Sequence, residues 1–196
     1  MSALPRLILA SQSPARLKLL RQAGFAPEAI PSHFDEDSIQ ADHPSELVQR
    51  LALAKAQSVA AGLNSSEPAL LIGCDSVLLV HGEVWGKPRD AAEAIARWQR
   101  MRGQVGELYT GHALVHHPSG QAWERLGLTR VHFADLSDRE IAAYVATGEP
   151  LQCAGCFALE GQGGLYIERI EGCHSNVIGL SLPLLRELLQ QANDPS

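Results

Sequence analysis

The residues that first suggest chemistry form a basic cluster near the amino-terminal end. Residues 1–27 contain no aspartate or glutamate, but they contain four basic side chains, Arg6, Arg16, Lys18 and Arg21. A phosphate beside residues 11–13 would receive hydrogen bonds from the hydroxyls of Ser11 and Ser13. Free backbone N–H groups at the start of a predicted helix and Arg16 would add further donors. The alternative is an ordinary serine N-cap followed by solvated basic side chains.

Asp75 is the residue whose surroundings point most directly to function. It interrupts a long apolar segment, residues 69–80, which predicts a central strand with a polar insert. A buried carboxylate is costly unless it is paired, binds a metal ion or lies where a site opens. With Glu36 or Asp37 of the acidic loop, Asp75 would hold Mg²⁺ and orient or deprotonate a water for attack on phosphorus.

Two lysines lie where they can add positive charge to such a site. Lys55 is at the edge of the apolar face of a predicted helix, where a lysine usually extends its ammonium into solvent. Lys87 stands between a glycine and Pro88, so its backbone is extended and a rigid turn directs its side chain. Together with Arg16 and the carboxylates, these lysines form the set that phosphoryl chemistry requires: cations for phosphate oxygens, carboxylates for metal and water.

The elements that must position these residues mix strands with helices. Predicted strands cover residues 7–10, 29–31, 69–80, 108–116, 122–133, 152–158 and 165–170. Predicted helices cover residues 14–23, 43–61, 90–101, 137–148 and 182–191, the fourth with a capping box at Ser137 and Glu140. This pattern predicts an α/β fold, and because no long linker interrupts it, we predict one domain over residues 1–196.

Composition limits the class of protein further. The chain has 196 residues and 45% hydrophobic content, enough to bury a sizeable core. A formal net charge of −6 and the lack of a basic tail argue against general binding to nucleic acid or to an acidic membrane. The amino-terminal apolar run, about four residues long, is too short for a signal peptide or a membrane span, which predicts a cytoplasmic protein.

Other catalytic and metal motifs carry less weight. The sequence has no GxxxxGK[ST] phosphate loop and no GxSxG nucleophile motif. Cys153 and Cys156, with Cys173 and His174, have a spacing that occurs in zinc sites. Because the first pair falls on a predicted strand, where Gly155 fits a bulge, we rank zinc below the phosphate site and expect reduced thiols.

Several segments, taken together, resemble the Maf family of small nucleotide pyrophosphatases, which has long been linked to septum formation. The matching segments follow in family order and span nearly the whole chain: residues 9–16 (LASQSPAR), 34–37 (FDED), 53–56 (LAKA), 73–77 (GCDSV), 86–88 (GKP), 109–111 (YTG) and 167–172 (IERIEG). The resemblance implies an α/β fold of the Maf/ITPase type, with an elongated mixed β-sheet flanked by helices and a cleft between two lobes. It also implies a protein that is often a homodimer.

The resemblance also implies roles for individual residues. Ser11, Ser13 and Arg16 would bind the triphosphate, Lys55 and Lys87 would bind phosphates, Glu36 would help to bind a divalent metal, and Asp75 would be the proton acceptor. The products would be a nucleoside monophosphate and pyrophosphate, with Mg²⁺ or Mn²⁺ as the activating ion. Whether Asp75 acts as base, as metal ligand or as both stays open.

Three positions depart from the family pattern. Ala15 stands where relatives often carry arginine or tryptophan, and the segment 103–107 lacks a histidine that many relatives have. Glu160 stands where the branch specific for dTTP and UTP has glutamine, as it does in the branch that prefers 7-methyl-GTP. An ionised carboxylate only accepts hydrogen bonds, so Glu160 would favour a base edge with N–H donors, such as that of guanine.

Two other functions compete with nucleotide hydrolysis. A non-catalytic nucleotide-binding regulator of cell division would keep the pocket without turnover, but it would gain nothing from a carboxylate such as Asp75 beside the phosphates. A phosphomonoesterase would need a smaller basic set than the one spread over three segments here. We therefore predict a nucleoside triphosphate pyrophosphatase.

Overall fold

The computed structural model of the protein describes residues 6–64 and 66–193. Seven strands lie within these residues: β1 Arg6–Leu9, β2 Glu28–Ala29, β3 Ala69–Val80, β4 Glu83–Trp85, β5 Val105–His117, β6 Ala122–Phe133 and β7 Ile167–Glu171. The same ranges contain six α-helices: α1 Pro14–Gln22, α2 Pro44–Ala61, α3 Ala91–Met101, α4 Asp138–Ala146, α5 His174–Ile178 and α6 Leu182–Asn193. Short 3₁₀ turns cover Glu36–Ser38, Glu149–Gln152, Ala154–Cys156 and Gln162–Tyr166.

The strands form a mixed sheet in the order β2-β1-β3-β5-β6-β7, and β4 pairs with β3 outside this order. Strand β1, second from the edge, is parallel to both of its neighbours, so that Ile8 lies opposite Glu28 on one side and Leu71 on the other. The pairs β3/β4 and β6/β7 are antiparallel. The predicted fold class, a mixed α/β sheet flanked by helices, is therefore confirmed.

The described residues group into two compact units, each assembled from separate stretches of the chain. The first unit comprises the described residues up to Asp75, the stretch Thr110–Gly127 and the described residues from Gly179 onward. The second unit comprises Ser76–Tyr109 and Leu128–Ile178. The long strands β3, β5 and β6 contribute residues to both units, which is why the sequence contains no linker between them.

In the first unit, helix α2 lies unusually close to the strands. A Cβ atom on Gly73 would stand 2.0 Å from the carbonyl oxygen of Ala52, and one on Gly111 would stand 2.1 Å from that of Val48. Only glycine fits at these two positions, because the helix backbone occupies the space of a side chain. The apolar core of this unit consists mainly of Ile8, Ala10, Ala56, Val59, Ala69, Leu71 and Val115.

The second unit has a separate, aromatic core. The fully buried ring of Trp98 on α3 makes edge-on contacts with Phe133, Tyr144 and Tyr166, at centroid distances of 5.7, 5.5 and 6.0 Å. Its indole N–H donates to the carbonyl oxygen of Cys156 at 2.8 Å. A buried tryptophan with its polar atom satisfied fixes how α3 packs against the following loops.

Most predicted elements agree with the structure, and the disagreements have local causes. The helices begin at the predicted caps, including Ser13 and the complete capping box of Ser137 and Glu140. The strand predicted over residues 152–158 is wrong: the chain makes 3₁₀ turns there, because Gly155 and Cys156 have φ of 72° and 63°, which a strand does not allow. The strand predicted over residues 69–80 is confirmed with the same bounds, and it runs without a break through Asp75.

The prediction missed two short elements, β4 and α5, whose three and five residues are too few to show a period. Strand β5 also begins three residues earlier than expected, at Val105. Within the described ranges, no helix combines the length and the apolar character that crossing a membrane requires.

Candidate active site

The predicted phosphate loop lies between β1 and α1 in the first unit. The hydroxyl oxygen of Ser13 caps α1 by accepting from the N–H of Arg16 at 3.4 Å, and that of Ser11 accepts from the N–H of Ser13 at 3.1 Å. The N-cap alternative is thus correct for Ser13. The first turn of α1 contains no acidic residue, so no carboxylate of its own faces the positive end of the helix dipole.

Arg16 is held over this loop rather than left in solvent. Its Nε donates to the carbonyl oxygen of Gly179 at 2.7 Å, and one terminal nitrogen lies 3.5 Å from the hydroxyl of Ser11. Gly179 has a φ of 114°, a conformation that favours glycine. A Cβ atom there would also stand 3.0 Å from Nε of Arg16, so the glycine allows the backbone to approach the guanidinium.

Lys55, Asp75 and Glu36 form what we term the carboxylate–lysine cluster. The ammonium nitrogen of Lys55 lies 2.5 Å from Oδ1 of Asp75 and 2.8 Å from Oε1 of Glu36. Lys55 and Asp75 are only 6% and 8% exposed, whereas the side chain of Glu36 is 56% exposed. The solvent-exposed alternative for Lys55 is therefore wrong, and Glu36 is the acidic-loop residue whose carboxylate reaches the cluster.

The electrostatics of the cluster favour a carboxylate that can accept a proton. Burial raises the pKa of Asp75 above its ordinary value, and the charges of Lys55 and Arg16 oppose that shift. Arg16 also acts on the neighbouring thiol of Cys74, whose pKa is raised to about 11 by burial. The basic loop and the buried carboxylate therefore lie within electrostatic range of each other, inside the first unit.

The cluster fits a metal ion that arrives with phosphates. Among the described residues, no group of three or more His, Cys, Asp and Glu side chains could hold a metal on its own. Glu36 and Asp75 nevertheless converge on one point, which the Lys55 ammonium now neutralises. Mg²⁺ is commonly held by one or two carboxylates plus substrate phosphates. The zinc alternative at Cys153, Cys156, Cys173 and His174 finds no support in the same ranges.

The remaining two predicted site residues, Lys87 and Glu160, belong to the second unit. The carbonyl oxygen of Gly86, next to Lys87, accepts from Nη1 of Arg97 at 2.8 Å and from the N–H of Gly155 at 3.3 Å. Glu160 is exposed on a turn. The pKa of Cys153 is raised to about 11 by burial and by the Glu160 charge, with Lys87 opposing, so both predicted residues lie near one thiol.

His112 is a site neighbour that the sequence analysis did not single out. It is fully buried in β5, and its Nε2 accepts from the backbone N–H of Ser181 at 2.7 Å. Burial, with a further contribution from Arg16, lowers the pKa of His112 to about 4. The neutral imidazole thus holds the segment 179–181, whose Gly179 carbonyl in turn holds Arg16.

The described residues define an α/β protein that presents cations and a buried carboxylate, a combination suited to phosphate chemistry. The family model for Maf, described as Maf-like protein, matches residues 6–192. The chain belongs to the Maf family, as the sequence motifs predict.

Named relatives agree with this membership over nearly the full length. A nucleoside triphosphate pyrophosphatase of Synechococcus elongatus is 63% identical over 191 residues, covering 97% of this chain and 95% of the relative. A protein of the same name from Microcystis aeruginosa is 61% identical over 183 residues, covering 93% and 92%. Among solved structures the likeness is weaker and does not bear on this membership: the Ham1 protein of Staphylococcus aureus matches 66% of this chain and 72% of its own at 15% identity, with a TM-score of 0.45.

Proposed function

We propose that this protein hydrolyses nucleoside triphosphates between the α and β phosphates and releases a nucleoside monophosphate and pyrophosphate. The observation that carries the proposal is the buried pair of Asp75 and Lys55, 2.5 Å apart and within electrostatic range of Arg16. Buried charges of both signs are costly to keep without a function. The relatives named nucleoside triphosphate pyrophosphatase support the same reaction.

Asp75 is the proton acceptor in this proposal. The oxygen of a water molecule bonds to a phosphorus atom of the α–β anhydride, the bridging P–O bond breaks, and Asp75 takes the proton that the water loses. Burial raises the pKa of this carboxyl, which makes it a stronger base than a solvated aspartate. Lys55 keeps Asp75 oriented and neutralises charge that builds up on the phosphate oxygens.

Glu36 and Asp75 would hold a divalent ion, Mg²⁺ or alternatively Mn²⁺. When bound, such an ion neutralises phosphate charge and makes a coordinated water more acidic. The support is the convergence of both carboxylates on the single ammonium of Lys55, which brings one oxygen of each to the same positive charge.

The substrate contacts divide into phosphate and base contacts. Ser11, Ser13 and Arg16 would bind phosphate oxygens at the start of α1, where the helix dipole and the hydroxyls favour an anion. Lys87 would bind a phosphate, and Glu160 would accept hydrogen bonds from the N–H groups of a base such as guanine. We therefore expect a broad substrate profile in which 7-methyl-GTP is used more efficiently than dTTP.

The test is pyrophosphate release by the purified protein with Mg²⁺ against a panel of canonical and modified nucleoside triphosphates, with Asp75→Asn beside it. Asp138→Asn is the matched control, because Asp138 pairs with Arg102 in the second unit and is exposed. Equal amounts of pyrophosphate and monophosphate, lost only in Asp75→Asn, support the reaction. Nucleotide binding without turnover across the panel supports the non-catalytic regulator instead.

We also propose a cytoplasmic protein that binds neither nucleic acid nor membranes and that forms a homodimer. The net charge of −6 supports the absence of nucleic-acid and membrane binding, since it disfavours polyanionic partners. Light scattering at several protein concentrations measures the oligomeric state, and a mass of one chain throughout would contradict the homodimer.

A further inference from the structure

The turn that carries Glu160 is anchored at both ends by two side chains that the sequence analysis did not single out. We propose that Glu149, together with Tyr144, is a positioning residue that fixes Glu160 and thereby sets the base preference of the enzyme. This inference rests on the proposed function, and within it on base recognition by Glu160. All of the residues concerned belong to the second unit.

The carboxylate of Glu149 accepts three hydrogen bonds. Its Oε1 accepts from the hydroxyl of Tyr144 at 2.6 Å and from the N–H of Gly163 at 2.9 Å, and its Oε2 accepts from the N–H of Gln162 at 3.0 Å. The tyrosine oxygen itself accepts from the N–H of Ala158 at 3.2 Å. The pair therefore holds the chain on both sides of Glu160.

Glu160 occupies the tip of a tight turn between these anchors. The N–H of Gly161 donates to the carbonyl oxygen of Ala158 at 3.2 Å, which places Leu159 and Glu160 at the two central positions of the turn. Glu160 is exposed, whereas Gly163 is buried. Since the flanks are fixed by hydrogen bonds and the tip is not, the direction of Glu160 depends on the anchors.

The loop is fitted closely to the pair. A Cβ atom on Gly161 would stand 2.2 Å from Oε2 of Glu149, and one on Gly163 would stand 2.4 Å from the hydroxyl oxygen of Tyr144. A larger residue at Gly161 would displace the Glu149 carboxylate, and one at Gly163 would also meet the backbone of Ala158. The glycines at these positions thus serve the contact with Tyr144 and Glu149, not only the flexibility of the turn.

The protonation states suit this arrangement. Burial and the hydrogen bond to Glu149 raise the pKa of Tyr144, so its hydroxyl remains a neutral donor that can also accept from Ala158. Burial acts to raise the pKa of Glu149, but the hydrogen bonds from Tyr144, Gly163 and Gln162 outweigh it and lower the pKa. Glu149 is therefore an ionised acceptor at neutral pH. The ring of Tyr144 packs against the rings of Trp98 and Tyr166.

Removing acceptor capacity at Glu149 should loosen the turn without touching the carboxylate–lysine cluster. Glu149→Gln keeps one acceptor oxygen and places an NH₂ group opposite the N–H of Gln162. Tyr144→Phe removes the acceptor of the Ala158 N–H and keeps the aromatic packing. We measure the preference as the ratio of kcat/KM for 7-methyl-GTP to that for dTTP. Each variant should lower this ratio by about tenfold, because that is the effect of losing one charge-assisted hydrogen bond.

The experiment measures pyrophosphate release from 7-methyl-GTP and dTTP by the wild type, Glu149→Gln, Tyr144→Phe and Glu160→Gln. Glu140→Gln is the control. It removes a carboxylate at the amino-terminal end of α4, the helix that carries Tyr144 near its other end. We expect Glu149→Gln, Tyr144→Phe and Glu160→Gln to lose most of the preference and the control to keep it. In Glu149→Gln and Tyr144→Phe, dTTP turnover should change by less than about threefold. Thermal unfolding of each variant separates loss of preference from loss of fold.

The outcomes separate the inference from the proposed function. If the wild type releases no pyrophosphate from any nucleotide, the proposed function fails. If it turns over both nucleotides and Glu149→Gln and Tyr144→Phe keep the wild-type ratio, the inference is overturned while the reaction stands. An unchanged ratio in Glu160→Gln overturns it as well, because the positioned residue would then not recognise the base. Tyr144→Phe decides the matter if Glu149→Gln does not fold.

Discussion

The two units hold their candidate functional residues by different means. In the first unit, the carboxylate–lysine cluster consists of buried charges that contact one another directly, with Lys55 between Asp75 and Glu36. In the second unit, Glu160 is held indirectly, by backbone N–H groups that donate to Tyr144 and Glu149. A proton acceptor needs an environment that changes its pKa, whereas a residue that reads a base needs only a fixed direction.

The comparison predicts that the largest effects on turnover come from the first unit. Asp75→Asn keeps the shape of the side chain and removes the basic oxygen, so kcat should fall by about a thousandfold. Steady-state pyrophosphate release checks this, with circular dichroism to confirm the fold. Turnover within a few-fold of the wild type would mean that the proton goes elsewhere.

Charge pairing itself can be tested through stability. Lys55→Met leaves the buried carboxylate of Asp75 without its nearest cation and should lower the free energy of unfolding by about 3 kcal/mol. The double variant Lys55→Met/Asp75→Asn removes both charges and should recover part of that loss. Urea unfolding of the two single variants and the double variant gives the coupling free energy between Lys55 and Asp75. Strict additivity would show that the pair does not interact.

Acidification should weaken the first unit through His112. Its pKa is about 4 in the folded protein, against an ordinary value of 6.5 for the unfolded chain. Between these pH values the unfolded chain therefore binds more protons than the folded protein. Stability should therefore fall as the pH drops from 6.5 toward 4, by about 1.5 kcal/mol between pH 6.5 and 5 from this group alone. His112→Gln can still accept from Ser181 and does not titrate. Denaturant unfolding of this variant should show a shallower decline over the same range, and an equal decline would contradict the assignment.

Arg97 and Arg100 give a matched pair in the second unit. Both guanidinium groups lie over the ring of Trp85, at 5.5 and 5.2 Å, but Arg97 also donates to the carbonyl oxygen of Gly86, next to Lys87. Arg97→Lys should raise KM by about tenfold through a less ordered Lys87, whereas Arg100→Lys should leave it nearly unchanged. Equal effects of the two substitutions would indicate that only the stacking matters.

Local sequence signals account for what could be predicted. The N-caps at Ser13 and Ser137 depend on neighbouring residues alone, and they appear as expected. Asp75 stood out because a carboxylate in an apolar run conflicts with its surroundings. The predicted sheet class follows from the same local patterns. These are features that a few adjacent residues determine.

Features that depend on distant parts of the chain could not be predicted. The pairing of Lys55 with Asp75 requires α2 to approach β3 closely, and the sequence does not show that approach. The turn at Gly155 and Cys156 contains enough apolar residues to suggest a strand, yet hydrogen bonds to Gly86 and Trp98 fix its left-handed conformation. Glu149 gave no local signal, because the N–H groups of Gln162 and Gly163 that donate to it lie 13 and 14 residues further along the chain.

The close approach of α2 to the strands has a consequence for how the site can change during evolution. Val48 and Ala52 touch the sheet through their backbone carbonyls, one helical turn apart, and Lys55 follows on the same face. The distance between helix and sheet is thus set by main-chain atoms, which are the same for every amino acid. The exposed side chains of α2 can change by mutation without moving the lysine, provided that Gly73 and Gly111 remain. Gly73 and Gly111, which have no side chain, thereby determine where the ammonium group of Lys55 lies.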